Sequence, residues 1–415
     1  MTDTSNIFSG LKVVDLASYI AGPASTTILS DFGADVIKVE PPHGGDPYRY
    51  FYKLPPNPVA EFNYAWQLTN RNKRSIAIDL KSPEARLVLD RLVEWADVVV
   101  VNYPPKVKAA LGLTYEVLSA LNPRLIYADI TGYGALGAEA DKPGFDVTAY
   151  WARTGLMQVT HDAGSPPTLP IPGIGDHATA VSLYAAIVTA LYARERTGKG
   201  DHVYTSLIAE GAWAAATWIE AGLHGAKFFP QHDRFAPPNA LLNPYKTSDD
   251  RWLLLVAAQE KDWPGFVQAI GHPELQDDPR FDDVRKRNHD AAALVAVLDP
   301  IFAGQPLAYW KEVLDKGRVI YGVVQIAQEI VNDPQMLANE VFVPLREPLG
   351  DVRLTVNSPV AVTGFPKVAP GRAPELNEHA TEILAELGFS AENAAGLIEQ
   401  GVIGRAPARA TAPLT

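Results

Sequence analysis

The stretch that decides the fold is "LKVVDLASYIAGPASTTILSDFGADVIKVE", residues 11–40. Its two ends, "LKVVDL" and "ADVIKVE", are short apolar runs typical of buried strands. Between them, Gly22 and Pro23 open a helical stretch that ends at Gly33. Strand, helix and strand in this order predict a βαβ unit, in which the two strands run parallel.

The same alternation continues to about residue 200. Further predicted strands are "SIAIDL" from Ser75, "DVVVVNY" from Asp97, "LIYADITGYG" from Leu125 and "HVYTSL" from His202. Helical patterns such as "PEARLVLDRLVEWA" separate them. We therefore predict an α/β protein with a Rossmann-like, parallel-sheet large domain. In such sheets the loops at strand ends bind ligands.

The pattern changes after about Gly225. The stretch "FFPQHDRFAPPNALLNPYKTSDD" marks a domain boundary, and mostly helical segments after it predict a smaller second domain. From Val319 the chain reads as extended, and it ends in one amphipathic helix, "HATEILAEL". The tail "GRAPARATAPLT" is predicted to be disordered.

Composition restricts the location and the partners. The 415 residues carry 36 Lys+Arg against 48 Asp+Glu, a net charge of −12, which disfavours nucleic acid as a partner. No apolar run approaches the ~20 residues of a membrane helix, so no membrane association is expected. With no secretory signal and no cysteine, a cytoplasmic location is predicted. The missing thiols also exclude disulfides and a Cys nucleophile.

Common cofactor motifs are missing or stand in the wrong context. The string G-x-G-x-x-G occurs once, at Gly132, Gly134 and Gly137, but a polar, proline-broken stretch follows it instead of a helix. A flexible loop is the better interpretation. No P-loop, H-E-x-x-H or G-x-S-x-G string is present. We therefore predict neither a dinucleotide fingerprint nor a metal site.

Two basic clusters and two tryptophans have alternative interpretations. The clusters could bind an anionic ligand or could be solvated faces. Trp213 and Trp218 lie five residues apart on a predicted helix, so core packing is favoured over a shared acyl pocket. The cluster residues are Arg71, Lys73, Arg74 and Lys81, then Lys106 and Lys108.

Asp176 lies in "IPGIGDHATAVSLYAAIVTALYARERTGKG", which begins at Ile171. A helix is predicted to begin close to it, and Asp is a favoured N-cap residue, so a structural cap is one interpretation. Gly173 and Gly175 favour another, because they would let a ligand approach the backbone. The helix end favours an ionised carboxylate, which can attack an activated acyl carbon. Both interpretations stay open at this point.

Three stretches together resemble one known family. They are "LKVVDLASYIAGPASTTILSDFGADVIKVEPP", "NRNKRSIAIDLKSPEARLVLDRLVEWADVVVVNYPP" and "GIGDHATAVSLYAAIVTALYARERTGKGDHVYTSL". They closely resemble the class III coenzyme A transferases, the family of formyl-CoA transferase, carnitine CoA-transferase and α-methylacyl-CoA racemase. The C-terminal "PGRAPELNEHATEILAELGFS" is similar to the family's ending, so the resemblance covers nearly the whole chain.

The resemblance implies a specific architecture. Residues 1–224 and a return segment, 326–415, would form the large domain, and residues 225–325 the small one. Two chains would interlock like links into a homodimer. The active site would lie between the large domain of one subunit and the small domain of the other.

The resemblance also implies the chemistry. The carboxylate matching Asp176 attacks an acyl-CoA thioester, and a mixed anhydride and an aspartyl-CoA thioester follow before a carboxylic acid takes up the CoA. No cofactor beyond CoA as co-substrate is implied. Lys106 or Lys142 would replace the family's basic residue before "GFD", and core packing is the alternative for Ile78 and Leu80. The implied CoA-contacting positions are Ile20, Ala21, Ile78, Leu80, Lys81, Asn102, Tyr103, Pro104, Lys106, Phe145 and Asp146.

The racemase branch of the family is the main alternative. Its reaction needs two bases, and the second is a histidine in a "GHD" string. Here the string is "GFD", with Phe145 in place of that histidine, and His177 is expected to point elsewhere. A transferase is therefore favoured over a 2-methylacyl-CoA racemase. A non-catalytic CoA- or dinucleotide-binding protein is the alternative from another class.

The substrates are only partly indicated. Pro41 and Pro42 replace a family arginine, and no counterpart of a shielding glycine-rich loop is visible, so formyl-CoA and oxalate are not expected. An apolar or aromatic acyl group is favoured by the residues expected at the acyl site. These are Tyr19, Ile20, Phe145, Tyr150 and Trp151. Whether transfer is intermolecular or between two carboxyls of one acid stays open.

Overall fold

The computed structural model describes residues 6–228, 231–257 and 259–405, and these fall into two compact units. The first takes the described residues within Met1–Leu156, Leu169–His224 and Leu337–Thr415. The second takes those within Met157–Thr168 and Gly225–Met336, whereas the sequence prediction placed the small domain at 225–325. From residue 406 onward, the tail predicted to be disordered lies outside the described residues.

A six-stranded parallel sheet forms the centre of the first unit. Its order is β3-β2-β1-β4-β5-β6, which is the doubly wound order of the predicted Rossmann-like class. The chain adds β2 and β3 on one side of β1, and then β4, β5 and β6 on the other side. Between β1 and β4 the strand order therefore changes direction, and ligands bind at such switch points. The strands are β1 (Lys12–Asp15), β2 (Asp35–Glu40), β3 (Arg74–Ala77), β4 (Val98–Val101), β5 (Ile126–Thr131) and β6 (His202–Ser206).

Residue choice explains the central strand and both faces of this sheet. All four valines of β4 are fully buried, because helices cover both faces of a parallel sheet. One face packs into a cluster that includes Val99 and Leu92, the other into a cluster that includes Val98 and Ile187. The continuous apolar run "VVVV" is therefore a strand buried on both sides.

Eighteen α-helices are assigned within the described residues. They are α1 (Ala21–Asp31), α2 (Tyr48–Phe51), α3 (Tyr64–Asn70), α4 (Ala85–Trp95), α5 (Pro105–Ala110), α6 (Tyr115–Leu121), α7 (Leu156–Val159), α8 (Ile174–Thr197), α9 (Leu207–Ala214), α10 (Ala216–Leu223), α11 (Trp263–Ala269), α12 (Val284–His289), α13 (Ala291–Ala303), α14 (Leu307–Lys316), α15 (Ala327–Ile330), α16 (Pro334–Ala338), α17 (Ala380–Glu386) and α18 (Ala391–Glu399). A π-helix, Val147–Ala152, precedes α7. The expectation of a single C-terminal helix is wrong, because Ser390 accepts the Asn393 N–H and starts α18.

The second unit has its own sheet and core. Strands β7 (Leu242–Lys246), β8 (Trp252–Val256) and β9 (Tyr321–Val323) form an antiparallel sheet, as β10 (Phe342–Leu349) and β11 (Val352–Val356) do in the first unit. Helices α11, α13 and α14 contribute aromatic side chains to the core of the second unit, among them Trp263, Phe302 and Trp310.

One helix has the length and composition of a membrane span. Among the described residues α8 passes this test, and the bent pair α13–α14 would make a second candidate. The expectation that no segment approaches this length is therefore wrong. In the structure α8 packs against α1, β5 and β6, as the core helix of a folded domain does.

Candidate active site

A cavity of about 320 Å³ opens at the carboxyl ends of β1, β4 and β5. It therefore lies at the switch point of the sheet, where β1 and β4 are neighbours. Two charged side chains, Asp176 and Lys142, are among its described lining residues. The lining consists of Ser18, Tyr19, Ile20, Ala21, Pro47, Asn102, Tyr103, Pro104, Ile130, Thr131, Gly132, Ala140, Lys142, Pro143, Gly144, Phe145, Asp176 and Leu207.

Asp176 is not the cap of its helix. Gly173 is the N-cap, with a left-handed φ of 98°, and α8 begins at Ile174. Asp176 is thus the third helical residue and faces the cavity. The glycines serve protein packing: a Cβ would come within 2.9 Å of Ile20 Cδ1 at Gly173, and within 2.4 Å of the Tyr150 ring at Gly175. The expectation that they admit a ligand is corrected accordingly.

The helix end is capped by Asp146 instead. Its Oδ2 accepts the N–H of Gly173 at 2.7 Å and the N–H of Gly175 at 3.3 Å. Asp146 is buried and is not among the residues that line the cavity. Because Asp146 satisfies these two N–H groups, the carboxylate of Asp176 is not needed for capping.

Asp176 is electrostatically unusual. It is half-buried, and among the described residues its carboxylate has no hydrogen-bond partner. Burial raises its pKa from 3.8 to about 7, and the charge of Asp146 acts in the same direction. The helix end was expected to favour full ionisation, but burial outweighs that effect. A carboxylate with so little hydrogen bonding is a stronger nucleophile than a capped one.

The loop after β1 is held by a side chain predicted to contact CoA. Asn102 Oδ1 accepts the Ser18 N–H at 2.9 Å, and Asn102 Nδ2 donates to the Ser18 carbonyl at 2.8 Å. Both ends of the amide are thus used within the protein. Asn102 lines the cavity and also fixes the loop that forms its wall.

The structure divides the predicted CoA-contacting residues into two groups. Those in the cavity lining are Ile20, Ala21, Asn102, Tyr103, Pro104 and Phe145. Those outside it are Ile78, Leu80, Lys81, Lys106 and Asp146. Ile78 is fully buried and Leu80 packs on the same core cluster. This agrees with core packing, the alternative interpretation of these two residues. Lys81 is exposed, and Lys106 pairs with Asp141 at 3.3 Å.

Most residues of the two basic clusters are paired inside the protein, and Lys81 and Lys106 are the two that are exposed. Arg71 is buried against Asp31 at 2.7 Å, and Lys73 against Asp15 at 2.9 Å. Lys108 is buried in an ion pair with Asp129. Arg74 reaches Asp35 and two glutamates of α17. Most of these cationic side chains therefore have carboxylate partners within the protein.

Some lining residues were not predicted from the sequence. Thr131 is the last residue of β5, Gly132 follows it, and Pro47 precedes α2. The position of Thr131 and Gly132 at the carboxyl end of a strand was a usable signal, since strand ends form such sites. Pro47 carried no comparable signal, because its place depends on how residues 41–47 fold.

His177 and Phe145 bear on the racemase alternative. His177 lines another cavity, of about 580 Å³, together with Arg71, and burial lowers its pKa. Asp176 and His177 thus face different spaces, as expected. Phe145 lines the cavity of Asp176, where the racemase reaction would need a base.

The tryptophans of α9 and α10 are exposed within the single chain. Trp213 is 77% exposed and Trp218 45%, so the expectation of core packing for both is wrong. Leu223 and Tyr204 are exposed as well. Four large apolar side chains of β6, α9 and α10 are therefore exposed within the single chain.

Comparison with known proteins identifies the family. The model of CoA-transferase family III matches residues 8–380. The chain belongs to this family. It is therefore an enzyme that moves CoA from an acyl-CoA to a carboxylic acid.

Individual relatives cover nearly the whole chain. Cinnamoyl-CoA:phenyllactate CoA-transferase of Clostridium sporogenes is 31% identical, over 94% of this chain and 95% of the relative. Acetyl-CoA:oxalate CoA-transferase of Acetobacter aceti is 34% identical, over 91% and 95%. The crystal structure of a CAIB/BAIF family protein from Brucella suis is 31% identical and matches with a TM-score of 0.81, over 92% of this chain and 100% of that chain.

Proposed function

We propose that Asp176 is the nucleophile of this CoA-transferase. One observation carries the proposal: the Asp176 carboxylate faces the cavity at the sheet's switch point without a hydrogen-bond partner among the described residues. Asp146 performs the capping that would otherwise occupy it. The pKa of about 7 leaves a substantial ionised fraction at neutral pH.

The proposed reaction has four transfers. A carboxylate oxygen of Asp176 attacks the thioester carbon and the C–S bond breaks. CoA departs as the thiolate, and the acyl group remains on Asp176 as a mixed anhydride. The thiolate attacks the aspartyl carbonyl carbon, which releases the donor acid and leaves an aspartyl-CoA thioester. The acceptor carboxylate attacks this thioester and expels CoA thiolate. The thiolate then attacks the acceptor's carbonyl in the second anhydride, which forms the new acyl-CoA and frees Asp176.

The CoA site is proposed to lie in and beside the cavity. Ile20, Ala21, Tyr103 and Pro104 line it directly. Lys142 adds a positive charge to the wall, although it is paired with Glu139 at 2.8 Å. Exposed Lys81 and Lys106 remain candidates for the anionic nucleotide half of CoA. Alanine at either position is expected to raise the Kd for CoA more at low salt than at high salt.

The acyl group is proposed to be apolar or aromatic. The relatives described above act on substrates as different as cinnamoyl-CoA and oxalate, so their names do not decide this. The cavity wall does favour one class: Tyr19, Ile20, Phe145 and Leu207 are apolar or aromatic. Tyr150 and Trp151, also expected at the acyl site, are not among its lining residues. A second substrate carboxylate would be buried there without an unpaired cation among the described lining residues, which is costly. Profiling aromatic, acetyl- and succinyl-CoA against a panel of acids tests this, and exclusive use of small dicarboxylates contradicts it.

A homodimer of interlocked chains is also proposed. The exposed Tyr204, Trp213 and Leu223, which lie in the successive elements β6, α9 and α10, support it, because a partner chain would remove such large apolar side chains from water. Light scattering is expected to give twice the 45.0 kDa of one chain, and an interlocked pair stays together on dilution. Trp213→Ser is expected to impair assembly, and Tyr309→Ser, at an exposed site in the second unit, is the control. A monomeric wild type contradicts the proposal.

The test of the proposed function combines binding and turnover. Wild type is expected to bind CoA and to exchange it between acids. Asp176→Ala is expected to retain binding and to lose exchange, because the pocket remains and the nucleophile does not. Binding without any turnover by the wild type would instead identify a non-catalytic CoA-binding protein. Proton exchange at the substrate α-carbon without CoA transfer would support the racemase.

A further inference from the structure

Another buried carboxylate, Asp46, lies outside the cavity lining and binds the backbone of Tyr19, which is part of that lining. It is 1% exposed. Its Oδ1 and Oδ2 lie 3.1 and 3.2 Å from the Tyr19 N–H group, and Oδ1 also accepts the Tyr48 N–H at 3.0 Å. One side chain therefore ties the loop after β1 to the start of α2.

Lys38 of β2 completes this arrangement. Its Nζ is 3.1 Å from Asp46 Oδ2 and also donates to the Ala17 carbonyl. Burial disfavours its charge, but the carboxylates of Asp15 and Asp46 raise its pKa, so it remains an ammonium. A buried pair of this kind is costly to break, because the remaining charge is left without a partner.

The residue held by Asp46 has an unfavourable backbone conformation. Tyr19 has a φ of 64°, in the left-handed region that side chains other than glycine rarely adopt. Such outliers persist only where the surroundings impose them, and they are common at functional sites. In this conformation the Tyr19 ring lies edge-on against Phe145, with centroids 5.4 Å apart.

We propose that Asp46, together with Lys38, is a positioning residue of the transferase. It holds Tyr19 in the left-handed conformation, so that the Tyr19–Phe145 ring pair forms one wall of the acyl-CoA cavity next to Ile20. The inference rests on the proposed function of that cavity. Asp46 does not contact substrate and acts through the loop of residues 17–20.

The test varies Asp46 and Tyr19 together. Asp46→Asn removes the charge and weakens the hold on the Tyr19 N–H. In the wild-type background it is expected to raise KM for the acyl-CoA about ten-fold, the cost of losing a left-handed conformation. The Tyr19→Ala background lacks the ring but should show the same factor, because the loop that carries Ile20 into the lining still needs the left-handed conformation. In the Tyr19→Gly background, the same change should cost less than about two-fold, because glycine adopts this φ unaided. An equal cost of Asp46→Asn in the Tyr19→Ala and Tyr19→Gly backgrounds overturns the proposal.

Two further measurements keep the test decisive. Asp31→Asn breaks an equally buried ion pair, with Arg71, away from this cavity, and it should lower stability without changing KM. If Asp46→Asn does not fold, urea unfolding of Tyr19→Gly and Tyr19→Ala decides. The glycine variant is expected to be at least as stable, and an alanine advantage overturns the proposal. A wild type that neither binds CoA nor transfers it would instead refute the proposed function.

Discussion

Two regions place a carboxylate at the same end of α8, and their environments differ. The loop before the π-helix supplies Asp146, which is buried and accepts two backbone N–H groups. The first turn of α8 supplies Asp176, which faces the cavity and has no such bond among the described residues. Because a helix end has few free N–H groups, one carboxylate can take the structural role and leave the other for chemistry.

The largest expected effect comes from replacing the carboxylate of Asp176. Asp176→Asn keeps the shape of the side chain but cannot form the anhydride, so CoA exchange should fall at least about 10³-fold. The rate of CoA exchange should fall far less in Asp146→Asn, because that variant keeps the nucleophile. Steady-state exchange rates of the two variants check this, and equal losses would contradict the division of roles.

The stability of Asp176→Asn tests whether burial raises the pKa of Asp176. Its folded-state pKa is raised, so the folded protein binds more protons than the unfolded chain between pH 4 and 7, and stability falls as pH rises through this window. The shift from 3.8 to about 7 corresponds to at most about 4 kcal/mol. In urea unfolding, Asp176→Asn should gain roughly 1–4 kcal/mol over wild type at pH 8 and little at pH 4. The same gain for Asp351→Asn, at an exposed carboxylate, would contradict this account.

The pH dependence of acylation reports the same carboxylate in function. Only the ionised form attacks, so the single-turnover rate should fall about ten-fold per pH unit below pH 6 and level off above pH 8. The midpoint is expected near 7. Quenched-flow measurement between pH 5 and 9 checks it. A rate that stays constant down to pH 5 would show a carboxylate with an ordinary pKa.

The smallest expected effect belongs to the capping residue. The charge of Asp146 raises the pKa of Asp176, so Asp146→Asn should move the midpoint of the pH profile to lower pH. At pH 8 the rate should fall only a few-fold, since the amide oxygen still accepts one N–H. A midpoint that is unchanged or higher would contradict the claim that the charge of Asp146 raises the pKa of Asp176.

Much of the fold could be predicted from the sequence because its signals are local. The run "VVVV" and the strand–helix–strand pattern of residues 11–40 predict a parallel sheet from short stretches of the chain alone. The helix after Ser390 was missed although its cap was visible, since "AENAAGLIE" has few large apolar residues and therefore a weak helical pattern. The exposure of Trp213 was missed because a large aromatic residue alone does not show whether its own chain or another covers it.

The candidate site was only partly predictable. Ile20, Tyr103, Phe145 and Asp176 were identified by resemblance to the family's motifs, and the structure brings them to one cavity. The roles of Asp146 and Asp46 could not be read from the sequence. Each depends on hydrogen bonds across 27 positions of the chain, from Asp146 to Gly173 and from Tyr19 to Asp46, which only the folded chain forms.

Mapping the covalent intermediate tests the central claim most directly. The protein is incubated with acyl-CoA, trapped with hydroxylamine or borohydride, and digested for mass spectrometry. A modified side chain at Asp176 is the predicted result, with no such modification in Asp176→Asn. A trapped adduct on any other residue, or exchange at the wild-type rate by that variant, would contradict the account.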